Sequence, residues 1–395
     1  MNRKQRVFAG FLSLGLFISV WLAGSAQGLK ITTLMETLRL DLGLEYDGSA
    51  VASVSDFAVA PDGNIYICDS RGGRVLRFAA DGKFMGAFGR PGQGPGDLQR
   101  PLSLVRSASG DIIVADGNLS VFSPNGRFLK RMSERPGSLV DAMFEAGPEG
   151  YFLSITRFRP STNGVIMEKT VEKTDADFRS VRTLFRRSDE YGGKATGSAF
   201  FNFAPGPKGE LYVLNRTSRE YRILALDPEG NPRPDIVRPF RPVAKCPEDH
   251  EYEKKRLQAL GARAAAIEGG SAPAVAVDPH KFAVGNITVD KTGRLWTTTC
   301  GSEPCDRSVY VDVFGPDGTW IKRFQLGSFS MPRIKVEGAS LFVLDGDAAE
   351  DIVLVRYDLA AAGVFPASAL AEDWVSGLTA EAPRTDVRGI REFQA

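Results

Sequence analysis

Short apolar runs separated by glycine turns dominate the pattern of this chain. Phe57-Ala58-Val59-Ala60 leads through Pro61-Asp62-Gly63 into Asn64-Ile65-Tyr66-Ile67-Cys68-Asp69. A loop over residues 70–73 leads to Arg74-Val75-Leu76-Arg77-Phe78, and the turn Ala80-Asp81-Gly82 to Lys83-Phe84-Met85-Gly86-Ala87-Phe88. Runs of this length, rich in branched and aromatic residues and bounded by Gly, Pro and Asp, predict strands joined by tight turns. Together they predict a four-stranded antiparallel meander. The first turn returns at Gly110, Gly150, Gly209, Gly293 and Gly338, and the second at Gly126, Gly230 and Gly318. Six occurrences of one strand–turn order, counting the one at Gly63, predict an all-β fold, a six-bladed β-propeller of four-stranded antiparallel blades. Residues 331–358 supply three strands of the last blade. The alternating segment Leu38-Arg39-Leu40-Asp41-Leu42 is expected to supply the fourth, which closes the ring and hides an open edge.

The amino terminus breaks this pattern. Arg3, Lys4 and Arg6 precede a run from Val7 to Ala23 without a charge, and Gly24-Ser25-Ala26 follows. A positive start, an apolar stretch and small residues are the pattern of an export signal, so residues 1–26 are expected to direct the chain to the periplasm or beyond. If uncleaved, the run would be an N-terminal membrane anchor. Residues 27–362 are then the propeller, and 363–395 a tail that is Ala-rich and then polar. The chain has 395 residues and a formal net charge of +1; loss of the three leading cations would make it −2. Neither value suits a surface for nucleic acid phosphates. Nothing in the pattern asks for a second copy, and a monomer is expected.

Loop lengths separate the two faces. The turns between first and second strands, and between third and fourth, are short. The other face carries the longer stretches 89–101, 157–164, 186–197 and above all 242–281. Long loops on one side of a rigid scaffold mark a binding face. The largest insertion, between blades four and five, predicts a helix. Pro247 suits its first turn, Glu248, Asp249 and Glu251 suit the positive end of its dipole, and Gly269-Gly270 ends it. Leu257, Leu260, Ala264 and Ile267 would form an apolar stripe, either a partial lid or a docking helix. Export permits disulfides. Cys300 and Cys305 flank a short loop between two strands and are the expected pair, with Cys246 as the competing partner; Cys68 lies inside an apolar strand as a small buried hydrophobe.

The first blade resembles the NHL repeat. Asp69, Ser70, Arg74, Val75 and Phe78 fall at that family's positions, with Gly72 in place of its turn Asn. Blade four keeps Arg222-Ile223, and blade two keeps Asp116 without the Arg. The stretch from Phe88 to Gly96 looks like the linker of exported bacterial six-bladed propellers. The resemblance implies the fold and leaves the activity open, because propellers host many functions.

Six equivalent positions, where each second strand leaves the core, hold Asp69, Asp116, Thr156, Asn215, Thr299 and Asp345. They are the candidate ligand-binding ring. Asp69, Asp116, Asn215 and Asp345 offer oxygen ligands of the kind that hold Ca²⁺ or Mg²⁺. The same residue types at strand ends also cap their own loops. The histidines are His250 and His280, both in the insertion. The propeller lyases acting on streptogramins or on amidated-peptide precursors depend on histidines near the channel, and no GxSxG, HExxH or phosphate-loop motif is present. Two classes follow. One is an exported non-enzymatic propeller without a cofactor that holds a protein, peptide or glycan. The other is a metal-dependent hydrolase resembling the propeller lactonases.

Overall fold

A computed structural model describes residues 31–364, except 52, 134–137, 147–149, 163, 192–200, 216, 256–257, 259–276, 330–331 and 347–351. The six expected blades are present as antiparallel four-strand meanders. Blade one is Val54–Val59, Ile65–Asp69, Arg74–Phe78 and Phe84–Phe88. Its strand two, Ile65 to Asp69, is buried throughout. Ile65 and Ile67 join a core cluster with Phe342 and Leu354 of blade six, whereas Tyr66 and Cys68 join one with Leu104 and Val114 of blade two. A strand packed on both faces reads as a continuous apolar run rather than an alternating one. Such clusters recur at each junction between neighbouring blades, so the core is a ring of interfaces.

The ring closes as the alternating early segment predicts. Met35–Asp41 pairs antiparallel with Val353–Asp358 and becomes the outer strand of blade six. A fifth strand has no counterpart in the sequence pattern. Thr32–Thr33 lies parallel to Trp320–Ser328, the outer strand of blade five. Two residues carry too little periodicity to be seen. The same short segment therefore clasps both blade five and blade six.

The inner strands are stitched to those of neighbouring blades. Asp56 Oδ1 pairs with Lys335 Nζ at 2.9 Å, joining blades one and six. Asp56 Oδ2 accepts from Ser103 Oγ at 2.8 Å and from the Leu104 amide at 3.2 Å. Ser103 Oγ accepts in turn from the Met143 amide of blade three at 3.1 Å. Asn286 Oδ1 accepts from the Ile334 amide at 3.3 Å, between blades five and six. Three of these bonds satisfy backbone amides of the inner strands, those of Leu104, Met143 and Ile334, which have no strand beyond them.

Three elements differ from expectation, one being that residues 186–191 of the expected loop 186–197 belong to the strand Ser180–Tyr191. Residues 157–164 are not a free loop. Gly150–Ser161 and Gly164–Asp175 remain paired to Ser161↔Gly164, giving blade three 12-residue strands where blade one has 5-residue ones. Pro160 and the charges disguise this strand in the sequence. Cross-strand ion pairs stabilise it: Arg157–Glu172 at 3.0 Å and Arg159–Glu168 at 2.9 Å. The disulfide is the third correction. Cys305 bonds to Cys246, with Cα atoms 5.2 Å apart, and not to Cys300. Cys300 pairs with Val309 in the strand ladder, whereas Cys305 lies in the intervening loop, turned toward the insertion. Cys68 is fully buried and free, as expected.

The helix of the insertion begins at Pro247 and is described through residue 255. The apolar stripe from Leu257 to Ile267, the signal at 1–26 and the tail beyond residue 364 lie outside the described residues. Among the described residues, no helix is long and apolar enough to cross a membrane.

Candidate functional site

The described part of the elaborated face is built from three parts. The first is the glycine-rich link after blade one. Asp97 folds back into it, accepting from Arg90 Nε at 2.8 Å and from the Gly94 amide at 2.9 Å. A Cβ at residue 92 would meet Asp97 Oδ2 at 2.3 Å, so any larger residue there would have to displace that carboxylate from its bonds. Arg131 of blade two clamps the link through the carbonyls of Gln93, at 3.0 Å, and Asp97. The second part is the long blade-three hairpin, whose Phe158 is 57 % exposed. The third is the base of the insertion. Lys245 N donates to Pro279 O and Lys281 N to Val243 O, both at 2.8 Å, forming a two-stranded neck. Ser218 Oγ ties Asp278 to blade four at 2.6 Å, and Arg307 of blade five pairs with Asp249 at 2.7 Å.

The ring residues are largely occupied. Asp69 is fully buried; Oδ2 accepts from Arg74 Nε at 3.1 Å, and Oδ1 from the amides of Gly72 at 3.0 Å and Ser53 at 3.2 Å. Arg74 continues to the carbonyls of Tyr46 at 2.8 Å and Ser49 at 2.9 Å, pinning a small hairpin beside the blade. This explains the Asp–Arg pair of the repeat. It also explains Gly72, because a Cβ there would meet Asp69 Oδ2 at 2.1 Å. Asp116 is 4 % exposed. Its Oδ2 accepts from the Gln99 amide at 3.1 Å, while Oδ1 has no hydrogen-bond partner among the described residues. Burial raises the Asp116 carboxyl above its ordinary value, against the Gln99 amide and the nearby Arg131.

Thr156 donates to Asp141 at 3.2 Å, and Asp141 pairs with Lys169 at 3.0 Å. Asn215 Oδ1 accepts from Arg187 of blade three at 2.6 Å. Thr299 donates to Ala283 O at 2.7 Å. Asp345 ends its strand opposite Val353. Among the described residues, no group of three or more His, Cys, Asp or Glu is placed to hold a metal ion. The ring positions share a height on the blades, and the side chains of Asp69, Asp116, Thr156, Asn215 and Thr299 bond to adjoining loops, to their own blade or to a neighbouring one. The ring is chiefly a set of braces.

Sequence reasoning missed the residues that complete these braces. Arg187 and Lys335 are long side chains whose partners lie on other blades, and Lys169 reaches across its own blade to Asp141. A further buried network joins blades four and five. Asp312 is fully buried and takes Arg323 through two bonds, at 2.8 and 2.7 Å, with Arg238 at 2.7 Å. Burial alone would raise the Asp312 carboxyl; Arg323 and Arg238 overcome this and hold it below the usual range. The one legible signal was alternation in Arg333-Ile334-Lys335-Val336-Glu337, which puts charge on one face of an inner strand. His250 sits in the insertion's helix and His280 in its neck, so neither histidine stands on a blade strand.

No protein-family model matches the chain. No curated protein sequence matches it. Among solved structures, it is similar to a member of the DUF4221 family from Bacteroides vulgatus, at 11 % identity and a TM-score of 0.49, over 82 % of this chain and 97 % of that one. It is similar to virginiamycin B lyase from Staphylococcus aureus, at 10 % identity and 0.43, over 80 % and 98 %. A third is a protein from Bacteroides fragilis described as a candidate exported protein, at 10 % identity and 0.44, over 83 % and 97 %. Likeness of this degree carries no argument about activity or ligand; the strand pairings themselves establish this chain as a six-bladed β-propeller.

Proposed function

We propose that this protein is an exported, non-enzymatic binding propeller with an NHL-type first blade, which holds a protein, peptide or glycan on its elaborated face. One observation carries the reading. The described additions to the plain blade plan rise on that face: the clamped glycine link, the twelve-residue hairpin and the bridged base of the insertion. The opposite face is formed by short turns such as the one at Gly63 (φ 83°), closed by Gly63 N to Ala60 O at 2.8 Å. Order without enclosure among the described residues suits a platform for a large partner better than a pocket for a small substrate. The metal-hydrolase reading ranks second because Asp69 is committed to Arg74 and two loop amides.

The test is capture from the exported fraction of the source cells by the immobilised protein. Phe158→Asp and Arg159→Glu, on the hairpin, should abolish capture. Lys83→Glu and Asn125→Asp, on the short turns, should leave it intact. Capture lost only with the second pair would overturn the proposal.

A further inference from the structure

Blades one, two, four and five join their third and fourth strands through a left-handed glycine, Gly82, Gly126, Gly230 and Gly318, with φ between 82° and 88°. Each lies close against the outer strand of the preceding blade in the ring. A Cβ would meet Leu40 at Gly82 and Phe88 at Gly126, both at 2.7 Å, the Leu184 carbonyl oxygen at 3.0 Å at Gly230, and Ile236 at 3.3 Å at Gly318. Blade three builds the same turn on Asp175, which accepts from the Asp177 amide at 2.9 Å and the Arg179 amide at 2.8 Å, as Asp227 does from Glu229 and Asn231 in blade four. Phe178 stands where the glycine would, at φ 61°. A bulky residue in that region is an outlier that persists only when its surroundings hold it. Here Tyr151 holds it, with the two rings stacked at 4.4 Å and 6°. At this junction a cavity of about 90 Å³ lies between blades two and three.

We infer that this cavity is a binding site for a short alkylammonium ligand. Leu119 and Met132 of blade two and Val140, Leu153 and Ile155 of blade three line its apolar part, and Phe178 completes that wall. The polar part is Ser138, Glu172, Thr174 and Asp177, two hydroxyls and two carboxylates with no cationic side chain in the lining. Glu172 is 4 % exposed and Thr174 1 %. The arginines paired with the carboxylates, Arg157 at 3.0 Å and Arg179 at 3.6 Å, stand outside the lining. A wall of this kind accepts hydrogen bonds and favours a positive end on an apolar body. The Asp177 side chain is 64 % exposed, so the cavity meets solvent beside it. Size limits the ligand. A cavity of about 150 Å³ takes benzene, so one of about 90 Å³ takes about four heavy atoms, a short carbon chain and its nitrogen. Glycine at position 178 would remove one wall, which gives the outlying backbone a use. The inference stands whether or not the elaborated face binds a partner.

Isotope-labelled methionine methyls, read by NMR, test it directly. Met132 lines the cavity, whereas Met85 is 42 % exposed on the outer strand of blade one. Met132→Leu identifies the Met132 signal. At neutral pH n-propylamine carries a positive charge, propanol none and propionate a negative one. Titrated through the millimolar range, n-propylamine should shift the Met132 signal saturably and leave Met85 in place. Propanol should need a severalfold higher concentration, and propionate should give no saturable shift. Glu172→Gln should bring the amine down to the affinity of the alcohol. Phe178→Gly restores the turn of the other blades, so the chain should fold, and it should weaken the amine severalfold. A Met132 signal that moves no more than that of Met85, or that responds as readily to propionate, overturns the inference. So does an amine titration left unchanged by Phe178→Gly.

Discussion

Asp69 closes the second strand of blade one, and Asp116 follows the second strand of blade two. They hold the same place in the repeat, and both are buried. Asp69 faces Arg74 and two loop amides. Asp116 has one amide bond and an Oδ1 without a partner among the described residues, and the nearby Arg131 is spent on Ser120 and on the glycine link. The cause is loop length. Blade one has four residues between Asp69 and Arg74, its partner across the ladder, whereas Asp116 N already bonds Asn118 O. The shorter turn leaves no place for an arginine. One repeat position thus yields a matched ion pair in one blade and an isolated acid in the next, and a ring of similar residues in sequence is no ring of similar chemistry.

Breaking the matched side should have the largest effect. Arg74→Ala strands the Asp69 charge in the interior and should cost about 3–5 kcal/mol, read as a lower urea midpoint with unchanged slope. Gly72→Ala tests the close approach. Its new Cβ must displace the Asp69 carboxylate, and a loss of about 1–3 kcal/mol is expected in the same melts. If Gly72→Ala is neutral, the Asp69 cradle is looser than its geometry.

Asp116 sharpens the comparison from the other side. Asp116→Asn keeps an acceptor for the Gln99 amide and removes a poorly matched charge, so stability should change by less than about 1 kcal/mol, in the favourable direction. Its pH signature is distinct. The Asp116 carboxyl is raised in the folded state, so between its unfolded and folded values the native chain binds more protons. Stability contributed by this group therefore falls as pH rises through that window and recovers on acidification. Melts of wild type and Asp116→Asn across the mildly acidic range should converge at low pH and separate above it. Parallel curves would mean that Asp116 is as well matched as Asp69.

The blade pattern was legible because it is local. Residues 64–69 name a strand, Asp62-Gly63 a turn, and the return of both names the repeat. Closure by residues 38–42 was also legible, because a sixth blade with three strands demands a fourth. The hairpin of blade three was not, since Arg157, Arg159 and Pro160 suggest a loop until Glu172 and Glu168 are seen across the ladder. The ring was readable as positions only.

By itself the sequence determined the fold class, the six occurrences of the blade and the face that carries the additions, because strand periodicity and turn chemistry act over a few residues. Tertiary structure alone decided which cysteine Cys305 takes, that Thr32–Thr33 joins blade five, and that Asp69 is neutralised while Asp116 is not. These outcomes depend on which distant groups share a few ångströms of poorly screened interior. There a charge or a thiol is governed by its nearest neighbours in space and not along the chain.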